Sequence, residues 1–104
     1  MRRGAIRFEM KSNIDIRFSW QANQDLDDIL QYTSKTWGDA QEDAYRGILH
    51  HAFVRILQFP EIGRPSPHAE NEQELILRYH AIVYHYRDST VTILRIVNPR
   101  RKRT

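Results

Sequence analysis

Apolar residues are densest between Leu75 and Val97. Leu75–Arg87 and Val91–Val97 are both rich in β-branched and aromatic residues, and Asp88-Ser89-Thr90 interrupts them. This pattern predicts a β-hairpin with those three polar residues as its turn. Both parities of the strands are apolar: Ile82, Tyr84 and Tyr86 alternate with Ala81 and Val83, and Ile93 with Leu94 and Ile96. Strands of that kind are expected to be covered on both faces, or nearly so. The cover has to come from the segment before them.

That segment has two different periods. Ile14, Ile16, Phe18 and Trp20 alternate with polar residues, which predicts a half-buried strand. Ser19 can then cap a helix, because Ala22, Leu26, Ile29, Leu30 and Thr33 fall on one helical face. Asp25, Asp27 and Asp28 lie early in this helix, and Asp25 is expected to gain most from the helix dipole. Trp37-Gly38 breaks the stripe, and Asp39 with Glu42 resembles a capping box for a second helix. That helix carries Tyr45, Ile48, Leu49, Ala52, Phe53, Ile56 and Leu57, at offsets 0, 3, 4, 7, 8, 11 and 12, and Pro60 ends it.

The helices are expected at residues 20–35 and 39–59. So short a connection makes them an antiparallel hairpin with one apolar face, and the sheet is its cover. Each Leu or Phe buried between the layers contributes about 1.5–3 kcal/mol. Leu26, Ile29, Tyr45, Leu49, Phe53, Ile56, Ile82, Tyr84 and Leu94 are the expected core. Residues 60–67 read as a turn-rich crossing and His68–Glu74 as a polar loop, while Pro99 stops the last strand. The fold class is α+β: an antiparallel two-helix hairpin on a four-stranded, mainly antiparallel sheet, in the order β-α-α-β-β-β. Residues 13–98 form a single domain and 99–104 a basic tail. Residues 1–12 read as an extension without fold value, with Met10 as a second possible start.

The chain's 104 residues, 40% of them hydrophobic, fit one folded domain. The absence of cysteine excludes disulfides, thiolate zinc sites and a cysteine nucleophile. No apolar run approaches membrane-spanning length, so a cytoplasmic protein is expected. The net charge of +3 conceals an asymmetry, with residues 1–20 at +3, 21–45 at −5 and 46–104 at +5. Two readings follow: ordinary solvated charge with a basic tail, or a polarised surface whose basic part meets an acidic or nucleic-acid partner.

Conventional catalytic motifs are missing. The four glycines form no phosphate-cradling loop, and no serine sits in a nucleophile-elbow context. His50 and His51 point about 100° apart on a helix, and His80 and His85 have opposite strand parity. No metal site and no cofactor are expected, and each histidine reads as a surface or helix-flank residue. Arg78, Arg87 and Arg95 are expected on strands, either snorkelling or paired with the acidic helix.

The order strand, helix hairpin, sheet resembles the ParE/RelE toxin superfamily, and its details resemble the ParE branch. Asp25-Leu26, Ile29, Tyr32-Thr33 and Trp37-Gly38 match the first-helix motif. Tyr45, Leu49, Phe53 and Leu57 match the second helix, and Pro60 and Ile62-Gly63-Arg64 its exit. Ile82, Tyr84 and Ile93-Leu94-Arg95-Ile96 match the strands that follow.

The resemblance implies a type II toxin neutralised by a small antitoxin, with Arg64, Arg78, Tyr84 and Arg87 as antitoxin contacts. ParE-like members act on DNA gyrase, with Arg95, Arg100, Arg101, Lys102 and Arg103 as expected target contacts here. RelE-like members cut mRNA in the ribosome. Those nucleases place lysines at the positions of Glu74 and Ile76 and an arginine at Ala81, and many relatives have histidine where Asn98 stands. Only the arginine matched by Arg101 survives, so no catalytic residue is assigned and inhibition by binding is favoured. The alternatives are a RelE-like ribonuclease and a small basic nucleic-acid-binding module.

Overall fold

The computed structural model describes residues 5–6 and 14–98. Eight elements follow in chain order: β1 (Ala5–Ile6), β2 (Asp15–Phe18), α1 (Trp20–Trp37), α2 (Asp39–Gln58), β3 (Arg64–Pro65), β4 (Gln73–Ile76), β5 (Ala81–Arg87) and β6 (Thr90–Val97). They build one sheet in the order β1-β2-β6-β5-β4-β3. All neighbours are antiparallel except β2 and β6, which run parallel. The expected four strands are therefore six, since two-residue strands extend both edges. One of them, β1, lies inside the stretch read as an extension. The other, β3, puts Pro65 on an edge strand, where its missing N–H costs no ladder bond. Gln73 and Glu74, read as loop, begin β4.

Both helices form where the apolar periodicity places them. The Ser19 hydroxyl caps α1 by accepting from the Ala22 N–H at 2.9 Å. Gly38 alone joins the helices, at φ 97° and ψ 167°, a region open essentially to glycine. The capping box does not form. Gly38 occupies the cap position, Asp39 accepts from the Ser34 hydroxyl, and Glu42 pairs with Arg46 one turn on. Asp25 also departs from its expected role. It spans layers, accepting from the Ile96 N–H at 2.9 Å through one oxygen and from Gln21 through the other.

The core lies between one sheet face and α2. Tyr45, Leu49, Ala52, Phe53, Ile56 and Leu57 are buried against Ile16, Phe18, Ile82, Tyr84, Val91 and Ile93, with Phe18 and Phe53 edge-to-face at 5.0 Å. On α1 only Ala22 is fully buried, while Leu26 and Ile29 pack along the margin. Ile48, on the predicted stripe, is half exposed.

β6 explains why both of its parities are apolar. Val83 pairs with Arg95 but Tyr84 pairs with Ile93, so Leu94 is an extra, unpaired residue, a β-bulge. The bulge switches parity. Val91 and Ile93 before it and Ile96 after it all turn toward the helices, whereas Leu94 is only partly buried and Arg95 faces the other way. Ser19 fixes this geometry: its N–H donates to the Ile93 carbonyl at 2.9 Å and its hydroxyl to the Leu94 carbonyl at 2.8 Å.

The open face is thus less covered than two-sided apolarity implied. Ala81 and Val83 are buried there between longer cross-strand neighbours, Ile76 with Val97 and Glu74 with Arg95. The hairpin turn is the two residues Asp88 and Ser89, both at positive φ (52° and 57°), as a type I′ turn requires, and Thr90 already belongs to β6.

Tyr84 locks the segment after α2 onto the sheet. Its hydroxyl donates to the Pro60 carbonyl at 2.7 Å and accepts from the Gly63 N–H at 2.9 Å. A Cβ at Gly63 would stand 2.8 Å from both the Glu74 carbonyl oxygen and that hydroxyl, so only glycine fits.

Two stability predictions follow from these bonds. Ser19→Ala removes a cap and strands the Leu94 carbonyl, a loss of about 1–2 kcal/mol in urea denaturation, against about 0.5 kcal/mol for Asp39→Ala. Tyr84→Phe leaves a buried donor and acceptor unpaired and costs about 1–3 kcal/mol by the same measurement.

Candidate functional site

The two faces of the sheet present different chemistry. On the helix side, α1, the start of α2 and the end of β6 enclose a groove of ≈ 990 Å³. Asp25, Asp28, Ile29 and Tyr32 reach it from α1 because offsets of three, four and seven residues share one helical face. Trp37 and Tyr45 close the helix side, while Tyr79 and His80 come from the β4–β5 turn and Ile96 from the sheet. Tyr32, Trp37 and Tyr79 are 65%, 69% and 52% exposed, an aromatic rim with no internal cover.

At the groove floor the Tyr45 hydroxyl and His80 Nδ1 share a hydrogen bond of 2.6 Å. Burial pushes the Tyr45 hydroxyl up to about 12, with the nearby Tyr79 adding to the shift. Burial pushes His80 below its usual range. Both are therefore neutral near pH 7, and among the described residues Asp25 and Asp28 are the charged groups that line the groove. His80 sits in the β4–β5 turn, so the parity comparison with His85 did not apply to it.

The opposite, open face carries four arginines against two carboxylates, Asp15 and Glu74. Alternation and the bulge bring Arg17 of β2, Arg95 of β6, Arg87 of β5 and Arg64 of β3 to it, all exposed. Arg64 reaches Glu74 at 3.2 Å. Arg17, Arg87 and Arg95 have no ion-pair partner among the described residues, so the expected pairing with the acidic helix is absent. His85 lies on the same face, two residues before Arg87 on β5 and across Thr92 from Arg17, with a buried Nδ1 that meets no hydrogen-bond partner among the described residues.

The expected contact residues scatter accordingly. Arg64 and Arg87 lie on the open face, while Arg78 lies in the β4–β5 turn, its guanidinium 5.3 Å from the Tyr79 ring centre. Tyr84 is fully buried and has no surface for an antitoxin; its polar tip serves the fold. Arg95 is on the open face, and Arg100, Arg101, Lys102 and Arg103 lie outside the described residues. No group of histidines and acids suited to a metal occurs among the described residues, and none of their helices is long and apolar enough to cross a membrane. The sequence did not single out the residues that line this groove as a site. The spacing of Asp25, Asp28 and Tyr32 was its only local signal.

His80 gives the site a pH signature. A pKa lowered in the folded state contributes stability that is complete above the unfolded value of about 6.5 and is lost as pH falls through the folded value. The melting temperature should therefore drop between about pH 7.5 and pH 5. His80→Gln should reduce that drop in thermal denaturation scans.

The fold is shared with chains of solved toxin–antitoxin systems. The toxin fold in the chromosomal ParDE toxin–antitoxin system from P. aeruginosa superposes with a TM-score of 0.68 at 23% identity, covering 82% of this chain and 95% of that one. The RelBE2 toxin–antitoxin complex from Mycobacterium tuberculosis gives 0.60 at 20% identity, over 80% and 94%. The DinJ–YafQ complex from E. coli gives 0.53 at 14% identity, over 88% and 99%. No curated protein matches in sequence. The family model for the ParE toxin of the type II toxin–antitoxin system, parDE, matches residues 16–103, from β2 through the tail, and the chain belongs to that family.

Proposed function

We propose that this chain is a cytoplasmic toxin that inhibits DNA gyrase by binding and is neutralised by a cognate antitoxin. The ParE family match over residues 16–103 carries the reading. Similarity to solved toxin–antitoxin complexes supports the antitoxin partner.

The open sheet face favours binding over RNA cleavage. At the positions where the resemblance expects the nuclease's bases, Glu74 is 8% exposed with its carboxylate on Arg64, Ile76 is apolar, and Ala81 is buried. The one carboxylate among them is held by Arg64, and no phosphorane-stabilising cation occupies these positions. Arg95, Arg17 and Arg87 instead leave exposed cations on one face, suited to a macromolecular target.

A supercoiling assay with purified gyrase tests this. Inhibition by the free chain is expected, together with its loss in a chain ending at Asn98 that still binds antitoxin. Unimpaired gyrase with codon-dependent mRNA cleavage on added ribosomes would overturn the reading in favour of a ribonuclease. The three unpaired arginines also favour a second reading, direct nucleic-acid binding. Tight, salt-sensitive binding of duplex DNA without any protein partner would establish that one instead.

A further inference from the structure

We infer that the groove between α1, the start of α2 and the end of β6 is the anchor site for a single cationic side chain, arginine by preference, carried on an apolar segment of the antitoxin. The inference rests on the antitoxin reading and adds the chemistry of the anchor.

Three observations carry it. The first is charge: in a chain of net charge +3, the described residues that line this groove include two carboxylates and no lysine or arginine. Asp25 is held in place by its bonds to Ile96 and Gln21. Asp28, one turn further on, is exposed and has no hydrogen-bond or ionic partner among the described residues. A fixed carboxylate beside a free one suits the planar fork of a guanidinium better than the point charge of an ammonium.

The second is the aromatic rim of Tyr32, Trp37 and Tyr79, whose exposure leaves ring faces open for a cation and for the apolar stem beneath it. The third is a precedent within the molecule. Arg78 already stacks on Tyr79 from outside the groove, so this rim accepts a guanidinium. The neutral Tyr45–His80 pair at the floor adds no competing positive charge. An apolar segment bearing one arginine meets rim, wall and floor together; an acidic segment would face Asp25 and Asp28 directly.

The experiment has two arms. In the first, the affinity of the full chain for the antitoxin encoded beside its gene is measured by calorimetry. Asp28→Asn should weaken binding roughly tenfold, the value of a charge-assisted hydrogen bond. Asp28→Lys should weaken it roughly a hundredfold or more by like-charge repulsion. Asp43→Lys, an exposed acid outside the groove, should change little, and unaltered melting temperatures exclude misfolding. Equal losses in Asp28→Lys and Asp43→Lys, or no loss in either, would overturn the anchor. So would self-association of the free chain that Asp28→Lys abolishes while antitoxin affinity is unchanged, since the groove would then take a second copy.

The second arm needs no antitoxin. Acetyl-arginine amide, titrated into the labelled chain, should shift the Trp37 indole resonance saturably, and Asp28→Asn should remove the shift. Acetyl-norleucine amide should leave it unmoved. If the wild-type chain binds no antitoxin, the antitoxin reading fails while this arm still judges the groove. Equal shifts with both amides, or none with the arginine compound, would overturn the cationic anchor.

Discussion

The parity switch in β6 is the constraint on which both faces of this molecule depend. A regular strand would turn Arg95 toward the helices along with Val91 and Ile93, and would put Ile96 on the open face. The extra residue at Leu94 reverses both. Ile96 joins the core and the groove, where its N–H is held by Asp25, and Arg95 joins Arg17 and Arg87 outside. The bulge is held in turn by the residue that starts α1, since Ser19 binds the Ile93 and Leu94 carbonyls while its hydroxyl caps the helix. One serine therefore fixes the parallel β2–β6 pair, the helix start and the facing of the strand that separates acid from base. Isolated buried hydrogen bonds contribute about 1 kcal/mol each. Here, where they are made matters more than how many there are.

The charge asymmetry along the sequence becomes sidedness in three dimensions. Acids of the 21–45 segment that project toward β6 line the groove, while arginines from four strands share the open face. The sheet lies between them. Exposed charges interact weakly beyond a Debye length of about 8 Å at physiological salt, so the two surfaces can meet different partners. Under the proposed function, one surface is left for an antitoxin and the other for a target.

Much of the fold was legible because its signals are local. The spacing from Tyr45 to Leu57 specifies a buried helix, and six of its seven stripe positions, all but Ile48, pack into the core. Ser19 and Gly38 likewise act through their own backbone neighbourhood. What escaped were properties of pairs. A bulge is a mismatch between two strands, so two-sided apolarity in β6 looked like two-sided cover. Tyr84 looked like a contact residue because its bonds to Pro60 and Gly63 cross more than twenty positions. The groove draws on residues from Asp25 to Asn98, and no window of sequence contains it. Ile48 shows the converse failure: it fits the helical stripe, but that edge of α2 has no element above it and stays half exposed.

The facing of β6 can be observed directly by nuclear Overhauser spectroscopy on isotopically labelled chain. The account predicts cross-peaks from the methyl groups of Val91, Ile93 and Ile96 to residues of α1 and α2, and none from the Arg95 side chain to either helix. Cross-peaks placing Arg95 against α1, with Ile96 contacting only open-face residues such as Ala81 or Val83, would mean that the strand runs without its parity switch and would contradict the division into an acidic groove and a basic face.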